Sequence, residues 1–510
     1  MITRVCLIIP PSVFLMDERV FMTLGILKVA AVLEQAGVTV EMLDLSGVEN
    51  YGEVVREHVR TSAATCYGLT ATTPQMPAAT KISRSIRAFQ PGARLILGGP
   101  HVTLVHAAQT YEQKRGGGGR ATTALHQLAD MFDVLVTGDG ELAVFEALRD
   151  DPARLVDGDD PRSEMFLTSQ RLTELPFPAR HLVDVDSYHY SIDGVRALSM
   201  IAQLGCPFEC GFCGGRMSPS LRRVRMRTPE NIVQEMVHLY RTYGVTGFML
   251  YDDELNVNPR VVALMDLIAD TQQQLGVEFR LRGFIKAELF TEQQAEAMYR
   301  AGFRWLLVGF ESGHQRILSN IQKKATQEDN TRCMEIARRH HLKIKALMSV
   351  GHPGESEESV RATHDWLLAV RPDDFDATVI TTYPGTPYFD GAVETKPGVW
   401  TYTCHRSGDK LHSLDVDYRE VAEYYKGIPG EYTSYVYTDY LSAPELVRLR
   451  DWLEASLRDK LGIPYNSPSA PAFRYEHSMG QGGMPATILK TSLSSSLQGS
   501  RAQMTPGGRD

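Results

Sequence analysis

Short apolar runs alternate with helical patterns along most of this chain, and this alternation restricts the fold more than any other feature. In the first 150 residues, amphipathic segments such as Leu24–Gln35 and Ala78–Phe89 separate the apolar runs. Five of those runs are predicted to be strands, namely Val5–Ile9, Val38–Leu43, Cys66–Thr70, Arg94–Leu97 and Val134–Val136. Strands joined by helical crossovers form parallel sheets with helices on both faces. The sequence therefore predicts an α/β fold that starts with a doubly wound parallel sheet over residues 1–160.

The same alternation restarts after a proline-rich stretch. Residues 161–195, which include Leu175-Pro176-Phe177-Pro178, are interpreted as a linker between domains. Six further strands are predicted at Ser199–Leu204, Gly247–Tyr251, Phe279–Leu281, Trp305–Phe310, Lys343–Val350 and Ala377–Thr381. Six strand–helix units over residues 196–395 predict a partial (β/α)6 barrel of the TIM type, with functional residues at the carboxyl ends of its strands.

The C-terminal part of the chain has a different composition. Residues 396–465 are rich in tyrosine and are expected to form a helical, aromatic extension that caps the open barrel. Tyrosines that simply pack the last helices explain the same composition. Cys404 in this region is a hydrogen donor, a substrate ligand or an idle thiol. Residues 466–510, rich in Ser, Gly and Pro, are predicted to be a disordered tail.

Composition excludes several classes of partner. The chain has 510 residues and a formal net charge of −9, which argues against nucleic acid or an anionic membrane as a partner. The densest basic run, Arg222 to Arg227, is expected to serve an anionic cofactor or substrate locally. No apolar run approaches the length of a membrane span, and the chain opens on a strand pattern without a signal peptide. Together with seven cysteines, three of them in one motif, this predicts a cytoplasmic protein.

Three cysteines, Cys206, Cys210 and Cys213, are spaced CxxxCxxC within one short loop. Three thiolates on such a loop can hold three irons of a cubane cluster and leave the fourth iron open to a substrate or cofactor. The alternative is a structural zinc site, which needs a fourth Cys or His nearby. The next cysteine is Cys333, and the nearest downstream histidine is His238 inside a predicted helix. The spacing therefore favours an iron–sulfur cluster.

The cysteine loop resembles the cluster motif of the radical S-adenosylmethionine (SAM) enzymes, including the aromatic Phe212 before the last cysteine. The resemblance implies that Cys206, Cys210 and Cys213 are catalytic and bind a 4Fe–4S cluster whose open iron chelates SAM. Reductive cleavage of SAM then gives a 5′-deoxyadenosyl radical. The turns after the later strands also match the family, which implies that SAM is bound by Phe212, Gly214, Arg282, Glu311, Ser312, Gly351 and Pro353.

Two of these assignments have alternatives. Arg282 could instead form a surface salt bridge. The carboxylates after the second barrel strand could form a metal site or a helix cap, although their position resembles the Asp-Asp turn of similar radical SAM barrels. As possible substrate-binding residues we name Asp252, Asp253, Glu254 and Tyr383.

Four loops at the carboxyl ends of the N-terminal strands are rich in glycine, proline and small hydroxyl residues. Such loops let the backbone approach a large flat or anionic ligand closely. In this order they resemble the cobalamin-binding domain that precedes many radical SAM barrels, which makes the first sheet a Rossmann-like cobalamin-binding domain. The residues implied to contact cobalamin are Pro10, Thr72, Thr73, Pro74, Gln75, Gly98, Gly99, Pro100, His101, Gly138, Gly140 and Glu141.

The chain departs from many cobalamin proteins in one respect. Their Asp-x-His-x-x-Gly motif supplies a histidine as lower ligand to cobalt, but here the corresponding segment begins Pro10-Pro11-Ser12. The cobalamin-dependent radical SAM branch commonly lacks this histidine too. His101 could be a ligand but is more often a loop residue in this context. A Rossmann-like layer without any cofactor remains the alternative.

The resemblance implies a cobalamin-dependent radical SAM methyltransferase that acts on an unactivated carbon of a small-molecule or natural-product intermediate. A radical SAM cyclase, oxidase or rearrangement enzyme, with or without cobalamin, is the nearest alternative, and a non-catalytic cobalamin sensor is a third. The expected partners are the substrate and an external one-electron reductant of the flavodoxin or ferredoxin type. Substrate identity, the lower ligand of cobalt and the oligomeric state stay open.

Overall fold

The computed structural model describes residues 2–12, 18–422 and 433–464. The N-terminal part is a six-stranded sheet in which all strands are parallel, in the order β2-β1-β3-β4-β5-β6. Its elements are β1 (Arg4–Ile9), α1 (Leu24–Gln35), β2 (Thr39–Asp44), α2 (Tyr51–Thr61), β3 (Cys66–Thr70), α3 (Met76–Phe89), β4 (Arg94–Gly98), α4 (Pro100–Lys114), α5 (Arg120–Met131), β5 (Val134–Gly138), α6 (Gly140–Ala147) and β6 (Leu155–Gly158).

This sheet confirms the predicted doubly wound fold. Apolar side chains alternate between two cores, one on each face, so that Cys6 and Ile8 pack on one side and Val5, Leu7 and Ile9 on the other. The strand order reverses direction between β1 and β3, and ligands of such sheets bind outside the carboxyl ends at that reversal. The sequence did not predict β6, whose short run Leu155–Gly158 ends in glycine.

The second part is a seven-stranded sheet in the order β15-β14-β13-β12-β11-β8-β7. The six strands from β8 to β15 are parallel, and β7 pairs antiparallel with β8. The elements are α7 (Ser169–Glu174), β7 (Ser191–Ile192), β8 (Val195–Met200), β9 (Gln203–Leu204), α8 (Pro219–Arg222), β10 (Arg225–Met226), α9 (Pro229–Tyr243), β11 (Gly247–Leu250), α10 (Val261–Leu275), β12 (Arg280–Ile285), α11 (Glu292–Arg300), β13 (Phe303–Glu311), α12 (Gln315–Ile321), α13 (Gln327–Arg339), β14 (Lys343–Val350), α14 (Glu357–Val370), β15 (Asp374–Val379) and α15 (Pro387–Asp390).

The six parallel strands confirm the predicted partial barrel, with two corrections to its strand limits. The first strand ends at Met200 and not at Leu204, because the chain breaks there into the two-stranded hairpin of β9 and β10. The third strand runs on to Ile285, four residues past the predicted end at Leu281. Glycine at position 283 interrupts the apolar pattern, yet Gly283 pairs in register with both Leu250 and Leu306.

The C-terminal extension contains more strand than the helical prediction allowed. Its elements are β16 (Val393–Lys396), β17 (Val399–Thr403), β18 (Lys410–Leu414), β19 (Val436–Thr438) and α16 (Ala443–Leu461). The four strands form an antiparallel sheet. Threonine, tyrosine and valine favour strands. The sequence analysis considered only how many tyrosines the region contains and therefore missed this pattern. The predicted tail from residue 466 lies outside the described residues.

Candidate active site

The cysteine loop leaves the barrel from β9 and is fixed by backbone hydrogen bonds on both sides. Gly205 opens it with φ +84°, and a Cβ there would lie 2.2 Å from the carbonyl oxygen of Arg223. Only glycine fits this position. Cys206 N donates to Leu221 O at 3.0 Å, and Gly211 N donates to Ile321 O at 2.7 Å. The loop therefore has a defined shape that the neighbouring backbone imposes.

The three cysteines are free thiols, and their arrangement fits a cluster better than a single ion. Burial raises the pKa values of Cys206 and Cys210, that of Cys206 to about 12 with a contribution from the neighbouring thiol of Cys210. Such thiols are thiolates only when a bound cation compensates their charge. Within the described chain, their sulfurs are not gathered within 4.8 Å of one another, as one metal ion would need. Sulfurs that bind separate irons of a cubane stand farther apart.

A buried ion pair stands beside the cysteines at the carboxyl end of β13. Glu311 has φ +64°, and its Oε1 accepts from Lys323 Nζ at 3.0 Å. Its Oε2 accepts from Ser349 Oγ at 2.7 Å, and Ser349 Oγ lies 2.8 Å from His352 Nε2. Burial alone would raise the pKa of Glu311, but Lys323 and these bonds hold it below its usual value. The pair is thus an ionised, preorganised polar group at the strand ends.

Two buried lysines, Lys286 and Lys323, are site residues that the sequence reasoning missed. Lys286 Nζ donates to Lys323 O at 3.0 Å, lies 3.0 Å from Glu288 Oε2 and stands 4.2 Å from the centre of the Phe208 ring. Burial raises the pKa of Cys210, and both ammonium groups oppose that rise. Lys286 directly follows the apolar run of β12, a position typical of a functional residue in a barrel.

Arg282 occupies a different place from the one expected. It lies in the middle of β12, and not at the strand end, with its side chain inside the barrel. Its Nη1 donates to Tyr190 Oη at 3.2 Å, and its guanidinium stands 5.7 Å from the Trp305 ring. The alternative of a surface salt bridge is wrong, because the side chain is buried. Lys286, not Arg282, is the cation at the carboxyl end of this strand.

The carboxylate turn after β11 divides into three different environments. Asp252 Oδ1 accepts from the backbone N–H groups of Ala202 and Gln203, and it thereby braces the segment that leads into the cysteine loop. Asp253 opens into the main cavity. Glu254 is turned toward the lysines and Cys206, and its Oε2 has no hydrogen-bond partner within the described chain. Burial raises the pKa values of both Asp252 and Glu254 to about 7.

The remaining predicted SAM residues lie around the same strand ends. Phe212 contacts the His352 ring edge-on, with centroids 5.4 Å apart. Gly351 has φ +96°, and Pro353 O accepts from Asn320 Nδ2 at 2.8 Å. A Cβ on Gly214 would lie 2.8 Å from Leu104 of the N-terminal part.

Two residues have partners that suggest a structural contribution. Ser312 Oγ lies 3.1 Å from Thr363 Oγ1 and accepts from His314 N, so it shapes the turn after β13. Cys404 is buried with its Sγ 3.5 Å from Asn320 Oδ1, and it does not line the main cavity.

A cavity of about 860 Å³ lies between the N-terminal sheet and the barrel. The barrel contributes Gly205, Tyr251, Asp253 and Tyr383 to its wall. All the predicted cobalamin residues except Pro10 and His101 line the opposite wall, namely Thr72, Thr73, Pro74, Gln75, Gly98, Gly99, Pro100, Gly138, Gly140 and Glu141. One cavity therefore connects the two regions that the sequence analysis assigned to different cofactors.

Pro10 and His101 stand just behind this wall. Pro10 O accepts from Gln75 Nε2 at 2.8 Å and so fixes the loop after β3. His101 Nδ1 lies 3.0 Å from Thr73 Oγ1, and burial lowers the pKa of His101 to about 4. Among the described residues that line the cavity, none is a histidine. The cavity wall thus offers no imidazole to a metal.

The shape of the cavity fits cobalamin. From the strand ends it continues down one face of the sheet, past Leu7, Gly68, Ile96 and Val136. A Cβ on Gly68 would lie 2.9 Å from Leu7 Cδ2 and narrow this slot. Apolar side chains along the sheet and a glycine-lined rim are a lining that a large, mostly apolar cofactor can contact closely. At the rim, a Cβ on Gly138 would lie 2.5 Å from Asp159 N.

Ion pairs from the N-terminal part also hold the cysteine loop. Arg225, just after the loop, binds Asp139 at the end of β5. Asp159 Oδ1 accepts from Ser218 Oγ at 2.9 Å and from Ser220 N at 2.7 Å. The basic run was expected to serve an anionic ligand, but Arg225 is neutralised by a carboxylate of the chain itself.

Comparisons with known proteins agree with this geometry. A family model for the B12 binding domain matches residues 18–129, and a model for the radical SAM superfamily matches residues 200–367. The chain is 26% identical over 342 residues to an uncharacterized methyltransferase of Pyrococcus horikoshii, covering 64% of this chain and 69% of the relative. It is 25% identical over 367 residues to the anaerobic magnesium-protoporphyrin IX monomethyl ester cyclase of Cereibacter sphaeroides, covering 68% of this chain and 56% of the relative.

A solved structure shows the same fold. The radical SAM methyltransferase TsrM from Kitasatospora setae, with cobalamin and a 4Fe–4S cluster bound, aligns with a TM-score of 0.58 and 19% identity over 79% of this chain and 81% of that protein. The chain therefore carries a radical SAM domain over residues 200–367 and is a radical SAM enzyme. It carries a B12-binding domain ahead of the radical SAM domain, and its cofactors are therefore a 4Fe–4S cluster, SAM and cobalamin.

In the described part of the chain, no helix is both long and apolar enough to cross a membrane.

Proposed function

We propose that this enzyme is a cobalamin-dependent radical SAM methyltransferase that acts on an unactivated carbon of a small-molecule or natural-product intermediate. The observation that supports it most is the single cavity of about 860 Å³, because cobalamin-domain loops and the start of the cysteine loop face each other across it. Methyl transfer to a carbon radical requires both cofactors to reach the same substrate atom. A cavity shared by the two domains meets this requirement.

In this proposal Cys206, Cys210 and Cys213 hold the cluster, and the polar groups at the barrel strand ends hold SAM. When bound, the cluster and SAM supply a radical that takes hydrogen from carbon, and cobalamin supplies the methyl group. Glu311 is ionised and held by Lys323, so it can accept hydrogen bonds from SAM without reorganising. Phe212, Gly214, Gly351 and Pro353 contribute the packed walls around it.

Lys286 and Lys323 replace Arg282 as the proposed partners of anionic charge in the site. Both ammonium groups are buried and act on the thiolate of Cys210. An added negative charge, from a reduced cluster or from a carboxylate, is stabilised by cations in a dry environment. Arg282 instead has a packing role: it donates a hydrogen bond to Tyr190 and lies against the ring of Trp305.

The loops after β3, β4 and β5 hold cobalamin in this proposal, with the glycine-rich rim against the macrocycle. If cobalamin binds here, the described cavity wall would surround it with backbone, hydroxyl and apolar groups, because no histidine lines that wall. Asp253 and Tyr383 face the same cavity and are the proposed substrate contacts. Asp252 and Glu254 are left out of this set, since the first braces the backbone and the second faces the lysines. The electron donor is a reductant of the flavodoxin or ferredoxin type.

A second candidate is a radical SAM cyclase with the same cofactors. The Cereibacter sphaeroides relative, named a cyclase, matches 68% of this chain. Cyclisation also needs a carbon radical in an enclosed site, so the cavity is compatible with it. The two candidates differ in whether a methyl group enters the product.

The test is an anaerobic incubation of the reconstituted enzyme with methyl-labelled SAM, a reductant and candidate substrates, read by mass spectrometry. We expect 5′-deoxyadenosine together with a product that carries the label. Replacing Cys206, Cys210 and Cys213 by Ala removes both, whereas Cys333→Ala, a buried thiol outside the loop, keeps both. A product without the label, formed together with 5′-deoxyadenosine, would show the cyclase-type reaction instead.

A further inference from the structure

Three metal-binding side chains converge on the N-terminal sheet, outside the cofactor cavity. They are Cys6 of β1, Glu41 of β2 and His58 of α2, whose ligand atoms all lie within 4.8 Å of one another. Cys6 Sγ is 3.2 Å from His58 Nε2, and His58 Nε2 is 3.2 Å from Glu41 Oε2. We propose that these residues bind a structural Zn²⁺ ion that fastens the edge strand β2 and helix α2 to β1.

The geometry favours a metal over a catalytic triad. In a nucleophilic triad the imidazole uses one ring nitrogen for the nucleophile and the other for the orienting carboxylate. Here the thiol and the carboxylate both face Nε2 of His58. One ring nitrogen carries a single proton or a single lone pair, so it cannot serve both partners fully. Cys6 also has 0% exposure, so no substrate reaches it.

The distances are close to those of a coordination shell. Zinc binds sulfur at about 2.3 Å and nitrogen or oxygen at about 2.0–2.2 Å, so ligand atoms at tetrahedral angles stand roughly 3.3–3.6 Å apart. The two separations of 3.2 Å are just below this range. The third separation, between Cys6 Sγ and the Glu41 carboxylate, lies within 4.8 Å, and the His58 side chain is 17% exposed.

Neighbouring groups hold the carboxylate and favour an ionised Glu41 and a neutral His58, whereas burial and the nearby Glu41 raise the pKa of the Cys6 thiol. Arg4 Nη1 donates to Glu41 Oε1 at 2.9 Å, and Ser62 Oγ donates to Glu41 Oε2 at 2.6 Å. Burial disfavours the charge of Glu41, but these bonds and His58 keep its pKa below the usual value, and burial lowers the pKa of His58. Such outer hydrogen bonds orient metal ligands. Cys6 loses its proton when the ion binds.

The position indicates a structural and not a catalytic ion. Cys6 and Glu41 pair in register on adjacent strands, and His58 lies in the last turn of the helix that packs on them. Val5 and Leu7 line the cofactor cavity, whereas Cys6 belongs to the core on the other face of the sheet. A sulfur, nitrogen and oxygen donor set suits zinc, and the partly exposed side of His58 and Glu41 leaves room for a water as fourth ligand.

The test is metal analysis of the full-length enzyme, reconstituted with iron, sulfide and corrinoid, exposed to ZnCl2 and desalted. We expect about one zinc per chain in addition to the cluster iron. His58→Gln and Cys6→Ala should each lower the zinc content at least tenfold while iron and corrinoid stay unchanged. Zinc content that is background in the natural protein, or unaffected by both substitutions, would overturn the proposal.

Three controls separate this site from other thiols and from misfolding. Cys66→Ala removes a buried thiol from the neighbouring strand on the opposite face and should keep the zinc. The variant with Ala at positions 206, 210 and 213 should keep it too, which excludes zinc in the cluster loop. Added Zn²⁺ should raise the Tm of this variant, and the further change His58→Gln should abolish that rise. An equal rise in both would count against the site.

Discussion

The two sheets of this enzyme differ in the residue types at the carboxyl ends of their parallel strands. The N-terminal sheet presents glycines, prolines and small hydroxyl residues, and its rim is shaped by backbone contacts such as that of Gly138 with Asp159. The barrel presents buried charges, among them Glu311, Lys286 and Lys323. Under the proposed cofactor assignment, a large rigid ligand would be held by shape, whereas a small charged cofactor and a cluster would be held by placed charges.

The largest expected effect comes from breaking the charge pair of the barrel. Lys323→Met leaves the buried carboxylate of Glu311 without its cation, which costs about 3–5 kcal/mol of unfolding free energy. SAM affinity should fall with it. Lys324→Met changes an exposed neighbour and is the matched control. Anaerobic denaturant unfolding and calorimetric SAM titration check both, and equal stability of the two variants would contradict the role of the pair.

The next largest effect is expected at the rim of the N-terminal sheet, where it tests whether corrinoid binding depends on the shape of that rim. Gly138→Ala places a Cβ 2.5 Å from Asp159 N at φ +71°, and we expect about 2–4 kcal/mol of destabilisation and a strong loss of retained corrinoid. Gly276→Ala has nearly the same positive φ, +66°, but meets nothing within 4 Å. It should cost only about 1 kcal/mol and leave corrinoid binding intact. Corrinoid absorbance measures the retained corrinoid, and denaturant unfolding measures stability. Equal corrinoid loss in both variants would show that the close contact at Gly138 does not matter for corrinoid binding.

A smaller, pH-dependent effect is expected at Asp252. Burial raises its pKa to about 7, above the value near 4 of an unfolded aspartate, so its ionisation lowers stability as the pH rises from about 4 to about 7. Asp252→Asn keeps an oxygen for the N–H groups of Ala202 and Gln203 but does not ionise. The variant should therefore match the natural protein at pH 4 and be more stable at pH 8, with a difference that grows between pH 4 and pH 7. If the unfolding free energies of the two proteins change in parallel across this pH range, the prediction is wrong.

The smallest effect is expected at Cys404. Its sulfur contacts Asn320 away from the cavity, so Cys404→Ala should leave the amount of 5′-deoxyadenosine per enzyme unchanged and cost about 1 kcal/mol of stability. A loss of radical chemistry in this variant, with its iron content intact, would assign Cys404 to the reaction after all.

The sequence predicted the architecture well because strand–helix alternation and the spacing of Cys206, Cys210 and Cys213 are local patterns. Cys66–Thr70 and Lys343–Val350 were placed with the observed limits. The roles of single charged residues depend on long-range contacts that no local pattern contains. Arg282 was expected at a strand end and lies in mid-strand, and Lys323 reaches Glu311 from the next helical connection.

The cavity between the domains could not be predicted for a similar reason. The loops that line its rim were singled out in the sequence, yet no local pattern shows that Tyr251 and Asp253 face them across the cavity. The antiparallel strands of the extension were also missed, since aromatic residues favour strands and helix packing alike.

The contacts of Asp139 and Asp159 with Arg225 and Ser218 make the two halves poor candidates for recombination. A chimera that joins this barrel to the B12 domain of a relative would need carboxylates at both places, or the segment that follows the cysteine loop would lose these contacts. Designers who wish to change the corrinoid module should therefore transplant that segment together with it.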